Sequence, residues 1–149
     1  MGTLKDRLND DLHTAMKARD ELTTSTLRMT LAAVGTAEVA GREKRELADD
    51  EVLAVLAKEA KKRRESAQAF TDAGRPESAA KELAEFEIID RYLPTQLSDE
   101  DLAGIVAEAL TGLSGQASMG PAMKAAKTAV AGRAEGGRVA AEVRRQLAV

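Results

Sequence analysis

An all-α fold is predicted by three features of this 149-residue chain. Alanine, glutamate, leucine, lysine and arginine, all strong helix formers, dominate it. β-Branched runs are scarce and aromatic residues make up only 2%, so little in it favours strands. Apolar residues recur at three- and four-residue spacing in seven successive segments. Most of the 44% hydrophobic content is aliphatic residues and alanine. Alanine lets helices approach closely but buries little area, so marginal stability is expected.

The first helix is placed at about Thr3 to Asp20, with Thr3 as N-cap and Leu4, Leu8, Leu12, Ala15 and Leu22 as its stripe. His13 falls opposite that stripe and reads as a solvated histidine, since no carboxylate or cysteine accompanies it. The second helix, about Thr23 to Ala40, is apolar on several faces through Leu27, Met29, Leu31, Val34 and Val39, which suits a central position. Gly41 and the polar run after it end that helix. The third helix runs from about Asp49 to Thr71 on a stripe of Leu53, Leu56, Ala60, Ala67 and Phe70. Gly74 caps it. The fourth begins at Pro76, a residue favoured in a first turn, with Ala79, Leu83, Phe86 and Leu93 facing inward.

Tyr92-Leu93-Pro94 breaks the periodicity and sets the expected domain boundary, giving a four-helix bundle over 1–94 and a three-helix tail domain over 95–149. In the tail, Ser98 with Asp101 opens a fifth helix, about Asp99 to Leu113. A loose linker, Gly112 to Ser118, leads to a sixth helix at about Met119 to Ala131. The last helix runs from about Gly137 to Leu147.

The absence of cysteine excludes disulfides and thiolate metal sites. No apolar run approaches the ~20 residues of a membrane span, and no secretory h-region is read at the N-terminus. Met1-Gly2 fails the myristoylation pattern because Asp6 stands where serine or threonine is needed. A cytoplasmic protein with no membrane association is expected. Neither a P-loop nor a dinucleotide fingerprint is found, since Gly112, Gly115 and Gly120 follow no strand. No cofactor is implied.

Charge is distributed unevenly. Met119 to Leu147 holds six bases (Lys124, Lys127, Arg133, Arg138, Arg144, Arg145) against Glu135 and Glu142. Pro94 to Ala117 holds Asp99, Glu100, Asp101 and Glu108 and no base. In a chain of net charge −3, that gathering points to a polyanionic partner rather than to catalysis. The GRAEGG turn, Gly132 to Gly137, has two readings. Gly132 can cap the sixth helix, and Gly136 or Gly137 can take positive φ before the seventh. The same turn offers free N–H groups at a helix N-terminus, flanked by Arg133 and Arg138, which suits phosphate. The candidate nucleic-acid contacts are therefore Lys124, Lys127, Gly132, Arg133, Gly136, Gly137, Arg138 and Arg145. A second basic run, Lys58 to Arg64, reads as a solvated face or as an extension of such a surface. Arg63, inside the apolar stripe, would snorkel or pair with a helix-four acid such as Glu82, Glu87 or Asp90. Glu82, Glu85 and Glu87 lie along one helix and read as structural pairing, not as an acid–base pair.

The order AKEAKKRRESAQAF, AGR, KE, YLPTQLSDEDL, MG-x-x-MK and GRAEGG resembles the GatB/YqeY family across essentially the whole chain, in its stand-alone YqeY-like form. From about Leu97 the chain is similar to the tail domain of the aspartyl/glutamyl-tRNA amidotransferase B subunit. By position, the family's signature residues are Tyr92, Leu93, Pro94, Met119, Gly120, Met123, Lys124, Gly132, Arg133, Ala134 and Gly136. Glu135 departs from the family's usual aspartate. The resemblance implies a helical bundle with a tail that helps hold tRNA, and partners such as tRNA, an aminoacyl-tRNA synthetase or an amidotransferase. An accessory tRNA-binding role is the leading expectation. The alternatives are a carbon–nitrogen ligase with glutamine as amido-N-donor and a module that docks a tRNA-charging enzyme. The ATP- and glutamine-handling chemistry of the amidotransferase resides in domains not read in these residues.

Overall fold

Three of the helices begin where an N-cap side chain satisfies an orphan backbone amide. In the computed structural model, which describes residues 3–113 and 118–148, the first helix α1 spans Leu4–Lys17. Thr3 Oγ1 accepts from the Asp6 amide while Asp6 Oδ2 accepts from the Thr3 amide, both at 3.1 Å. This reciprocal box fixes the start of α1. Helix α2 spans Glu21–Glu38, two residues earlier than its apolar pattern suggests, because Asp20 takes the N-cap by accepting from the Thr23 amide. Leu22 therefore belongs to α2 and not to the α1 stripe.

Helices α3 (Asp49–Asp72) and α4 (Pro76–Asp90) form a hairpin closed by Gly74 at φ +73°. Helices α5 (Asp99–Thr111), α6 (Met119–Val130) and α7 (Gly136–Leu147) complete an all-helical chain with seven helices among the described residues. Ser98 Oγ accepts from the Asp101 amide at 3.1 Å and opens α5. Of the linker read at Gly112 to Ser118, residues 114–117 lie outside the described residues, as do Met1 and Gly2. None of the described helices is long and apolar enough to cross a membrane.

The chain divides into two units, Met1–Leu93 and Pro94–Val149. In the first, Leu8, Leu27, Val34, Val52, Leu56, Ala60, Ile88 and Ile89 form the core. Several inward positions differ from the periodicity reading. Val52, Ile88 and Ile89 are buried, whereas Leu83 is 47% exposed and Leu53 and Phe86 are half-buried. On α2 the exposed Met29 and Val39 lie outside the core, and two threonines, Thr26 and Thr30, lie within it. Thr30 Oγ1 donates back to the Thr26 carbonyl at 2.8 Å, a bond any helix can supply to a buried threonine. The Thr26 hydroxyl has no described partner.

Two buried charges tie the first unit together. Glu38, 4% exposed, accepts from Lys5 Nζ at 2.9 and 3.0 Å and from the Leu47 amide at 3.3 Å. The Lys5 ammonium holds the Glu38 carboxyl below the usual range against the opposing effect of desolvation. Glu38 thereby joins the start of α1 to the end of α2 and the segment before α3. Arg63, 7% exposed, pairs within its own helix with Glu59 at 3.3 Å rather than with an α4 acid, and its Nη2 also meets Met29 Sδ at 3.9 Å. An i,i+4 carboxylate is a neighbour on the same helix surface and within reach of the guanidinium.

The orphan hydroxyl makes a sharp test of this packing. Thr26→Val should raise the unfolding free energy by about 1 kcal/mol, because it removes a desolvated polar group at similar shape. Ile89→Ala should lower it by about 2–5 kcal/mol through transfer and cavity terms. Chemical denaturation of both variants measures the two effects.

Candidate nucleic-acid interface

The second unit is built around alanine. Leu102 and Val106 from α5 meet Ala122, Ala126 and Val130 from α6 and Val139 and Val143 from α7. Small residues on α6 allow this close approach, with Met119 and Met123 half-buried at the margin. Lys124 and Lys127 fall on the opposite, exposed side of α6. Helix α6 then ends in two consecutive left-handed residues, Ala131 at φ +52° and Gly132 at φ +79°. Glycine adopts this conformation freely, whereas alanine does so at a cost of about 1–2 kcal/mol.

The turn positions Arg133 to fold back on the helix it follows. Its Nε donates to the Val130 carbonyl at 2.9 Å and its Nη2 to the Ala129 carbonyl at 3.0 Å. The guanidinium thus caps the C-terminal end of α6, where orphan carbonyls and the negative dipole end favour a cation. The Arg133 backbone carbonyl in turn accepts from the Leu97 amide at 2.7 Å. Arg138, in the first turn of α7, donates from Nη2 to the Leu97 carbonyl at 2.8 Å and to Asp99 Oδ1 at 2.9 Å. The segment before α5 is therefore clamped to the elbow from both sides of one residue.

This geometry revises several sequence-based roles. Arg133 and Arg138 are half-buried and engaged with backbone carbonyls, so their side chains serve the fold. Arg145 is exposed but bound to Glu142, with Nε at 3.0 and 3.1 Å from its two oxygens. Gly136 and Gly137 have no positive φ; they occupy the first turn of α7 behind Glu135 at the N-cap. An acid at that position opposes an anion at the amide cluster. Its side chain makes no cap hydrogen bond, as the longer reach of glutamate over aspartate suggests. What remains is Lys124, Lys127 and a residue the site reading omitted, Arg144. All three are exposed and form no ion pair with a described residue. Arg144 was recoverable from the helical wheel, since Val143 and Leu147 turn it outward.

A family model for the Yqey-like protein family matches residues 5–147. The chain belongs to the YqeY-like family. None of the curated proteins matches it. Within this YqeY-like chain the signature residues Pro94 and Gly132 lie close together in the second unit: a Cβ added at Gly132 would stand 3.9 Å from Pro94 Cγ.

Glu142 is held at about 2, chiefly by the hydrogen bond from Arg145 and then by Gln146. A carboxylate depressed in the folded state stabilises above its unfolded pKa and loses that contribution as pH falls. The Glu142 contribution is therefore present above pH ~4.5 and lost on approach to pH 2, a loss that Glu142→Gln abolishes in an acid titration followed by circular dichroism. Arg133→Ala and Arg138→Ala should each destabilise the second unit by about 1–3 kcal/mol. Gly132→Ala should cost about 1–2 kcal/mol from its left-handed backbone. Thermal unfolding of the three variants measures these losses.

Proposed function

We propose that this YqeY-like protein is a non-catalytic accessory in tRNA handling that holds RNA weakly through the backbone phosphates. The reading has the chain as a helical bundle followed by an amidotransferase-tail-like domain, with the RNA contact on the α6 and α7 surface. The observation that carries it is the set of three exposed cations without described partners, Lys124, Lys127 and Arg144, on two rigid helices. Helices fix the backbone spacing of these cations, each side chain costs about 0.5–1.5 kcal/mol to order on meeting a phosphate, and they read charge and shape rather than base edges. The acids with depressed pKa values fit a binding rather than a catalytic role. Asp20 is an N-cap, while Glu38, Glu51 and Glu142 are held by Lys5, Arg45 and Arg145.

A second reading rests on apolar exposure in the first unit, where Met16, Met29 and Leu83 are each more than 40% exposed. A protein partner such as a tRNA-charging enzyme would cover such side chains. Association that survives nuclease treatment would distinguish this from RNA bridging.

For tRNA, three phosphate contacts give a log–log salt slope of about −2 to −2.7. Filter binding across a salt series should return that slope with affinity on the order of micromolar. The combined Lys124→Glu, Lys127→Glu and Arg144→Glu chain should lose binding while keeping its helicity. A salt-independent signal, or unchanged binding by that folded triple variant, would overturn the reading.

A further inference from the structure

A cleft of about 270 Å³ opens in the first unit beside α1. Ala15, Ala18 and Ile88 supply its apolar wall, and Tyr92 closes one side. Four charged residues line it: Arg7, Asp11, Asp20 and Arg91. Their hydrogen-bonding capacity is unequal. Asp20 is spent as the α2 cap, with Oδ1 accepting from the Thr23 amide at 3.1 Å and Oδ2 from the Thr23 hydroxyl at 2.7 Å. Asp11 Oδ2 accepts from the Tyr92 hydroxyl.

The two arginines are not spent in this way. Arg7 lies over the Tyr92 ring with its guanidinium carbon 4.8 Å from the centroid, a contact that orients the fork without using its N–H groups. Arg91 makes no side-chain hydrogen bond or ion pair with a described residue, although Asp20 and the Tyr92 hydroxyl are within its Coulombic reach. The cleft therefore presents two guanidinium forks with N–H groups to spare, beside carboxylates of which Asp20 is engaged through both oxygens and Asp11 through Oδ2. A planar guanidinium fork matches a carboxylate in bidentate fashion. Because the four lining charges sum to zero, a monoanion is better tolerated than a phosphate dianion. The volume, just below that of drug-sized sites, suits about ten non-hydrogen atoms.

We propose that this cleft binds a small monocarboxylate, its carboxylate on Arg91 and Arg7 and a short hydrocarbon body on Ala15, Ala18 and Ile88. The site lies wholly in the first unit and is independent of the RNA reading, so failure of either leaves the other standing.

The test is a nuclear magnetic resonance titration of the full chain with three probes: 4-methylpentanoate, its neutral amide, and inorganic phosphate. The carboxylate should give saturable shifts at α1 and at the end of α4, with Kd on the order of millimolar for a ligand this small. The amide should bind about tenfold more weakly or not at all. Arg7→Gln and Arg91→Gln alter exposed residues and should keep a folded spectrum while weakening the carboxylate about tenfold. Lys124→Gln should change nothing. No saturable shift at tens of millimolar carboxylate, equal binding of the amide, or tighter binding of phosphate would each overturn the proposal, as would undiminished carboxylate binding by both folded arginine variants.

Discussion

The second unit depends on how the peptide groups of Leu97 are satisfied. Its amide donates to the Arg133 carbonyl and its carbonyl accepts from Arg138, so one residue is gripped through both of its backbone polar groups. Half-buried backbone groups need such partners, and the chain entering α5 has no regular ladder to provide them. The left-handed pair Ala131 and Gly132 turns the Arg133 carbonyl toward Leu97, and Arg138 follows in the first turn of α7. The elbow, the entry segment and the two arginines are one construction. A phosphate at those arginines would meet guanidinium groups already anchored to carbonyls through Nε and Nη2 of Arg133 and Nη2 of Arg138.

The uneven charge of the tail is largely explained by the same logic. Lys127 stands in the last turn of α6, Arg144 and Arg145 stand in the last turn of α7, and Arg133 caps α6 from beyond its end. Helix C-termini favour cations, so four of the six bases sit where the backbone field wants them. Arg138 sits near a helix N-terminus, where a cation is disfavoured, and Asp99 in the first turn of α5 offsets it. The acidic segment and the basic segment thus meet within one unit. An exposed pair such as Arg138–Asp99 contributes little alone, which leaves the Leu97 carbonyl as the stronger hold on Arg138.

Much of the fold was legible in the sequence, because caps and breakers act locally. Thr3, Pro76, Ser98 and Gly74 marked ends that the structure places within a residue or two. Asp20 was missed because Leu22 continued the preceding periodicity, whereas the left-handed Arg19 (φ +56°) and the Asp20 cap on Thr23 separate the helices. Core membership was less legible in α4, where Ile88 and Ile89 are buried and Leu83 is not: an apolar residue can sit on either edge of a wide stripe, and partner helices decide which edge is covered. Thr30 and Glu38 were illegible for a related reason, since their partners lie on their own backbone or far along the chain. At the candidate site, the outward positions of Lys124 and Lys127 followed from periodicity. The fates of Arg133 and Arg138 did not, because each depends on a carbonyl brought near by the turn. Nor did the left-handed Ala131, whose side chain gives no hint of that conformation.

The claim on which this account turns is that Arg133 belongs to the fold and not to a ligand. The Nε–H resonance of Arg133, followed in the full chain with and without tRNA, tests it most directly. The account predicts a slowly exchanging proton, held by the Val130 carbonyl and unmoved by RNA, while the Lys124 and Lys127 side chains shift. Rapid exchange in the free protein, or a shift of Arg133 Nε–H that saturates with tRNA, would contradict it.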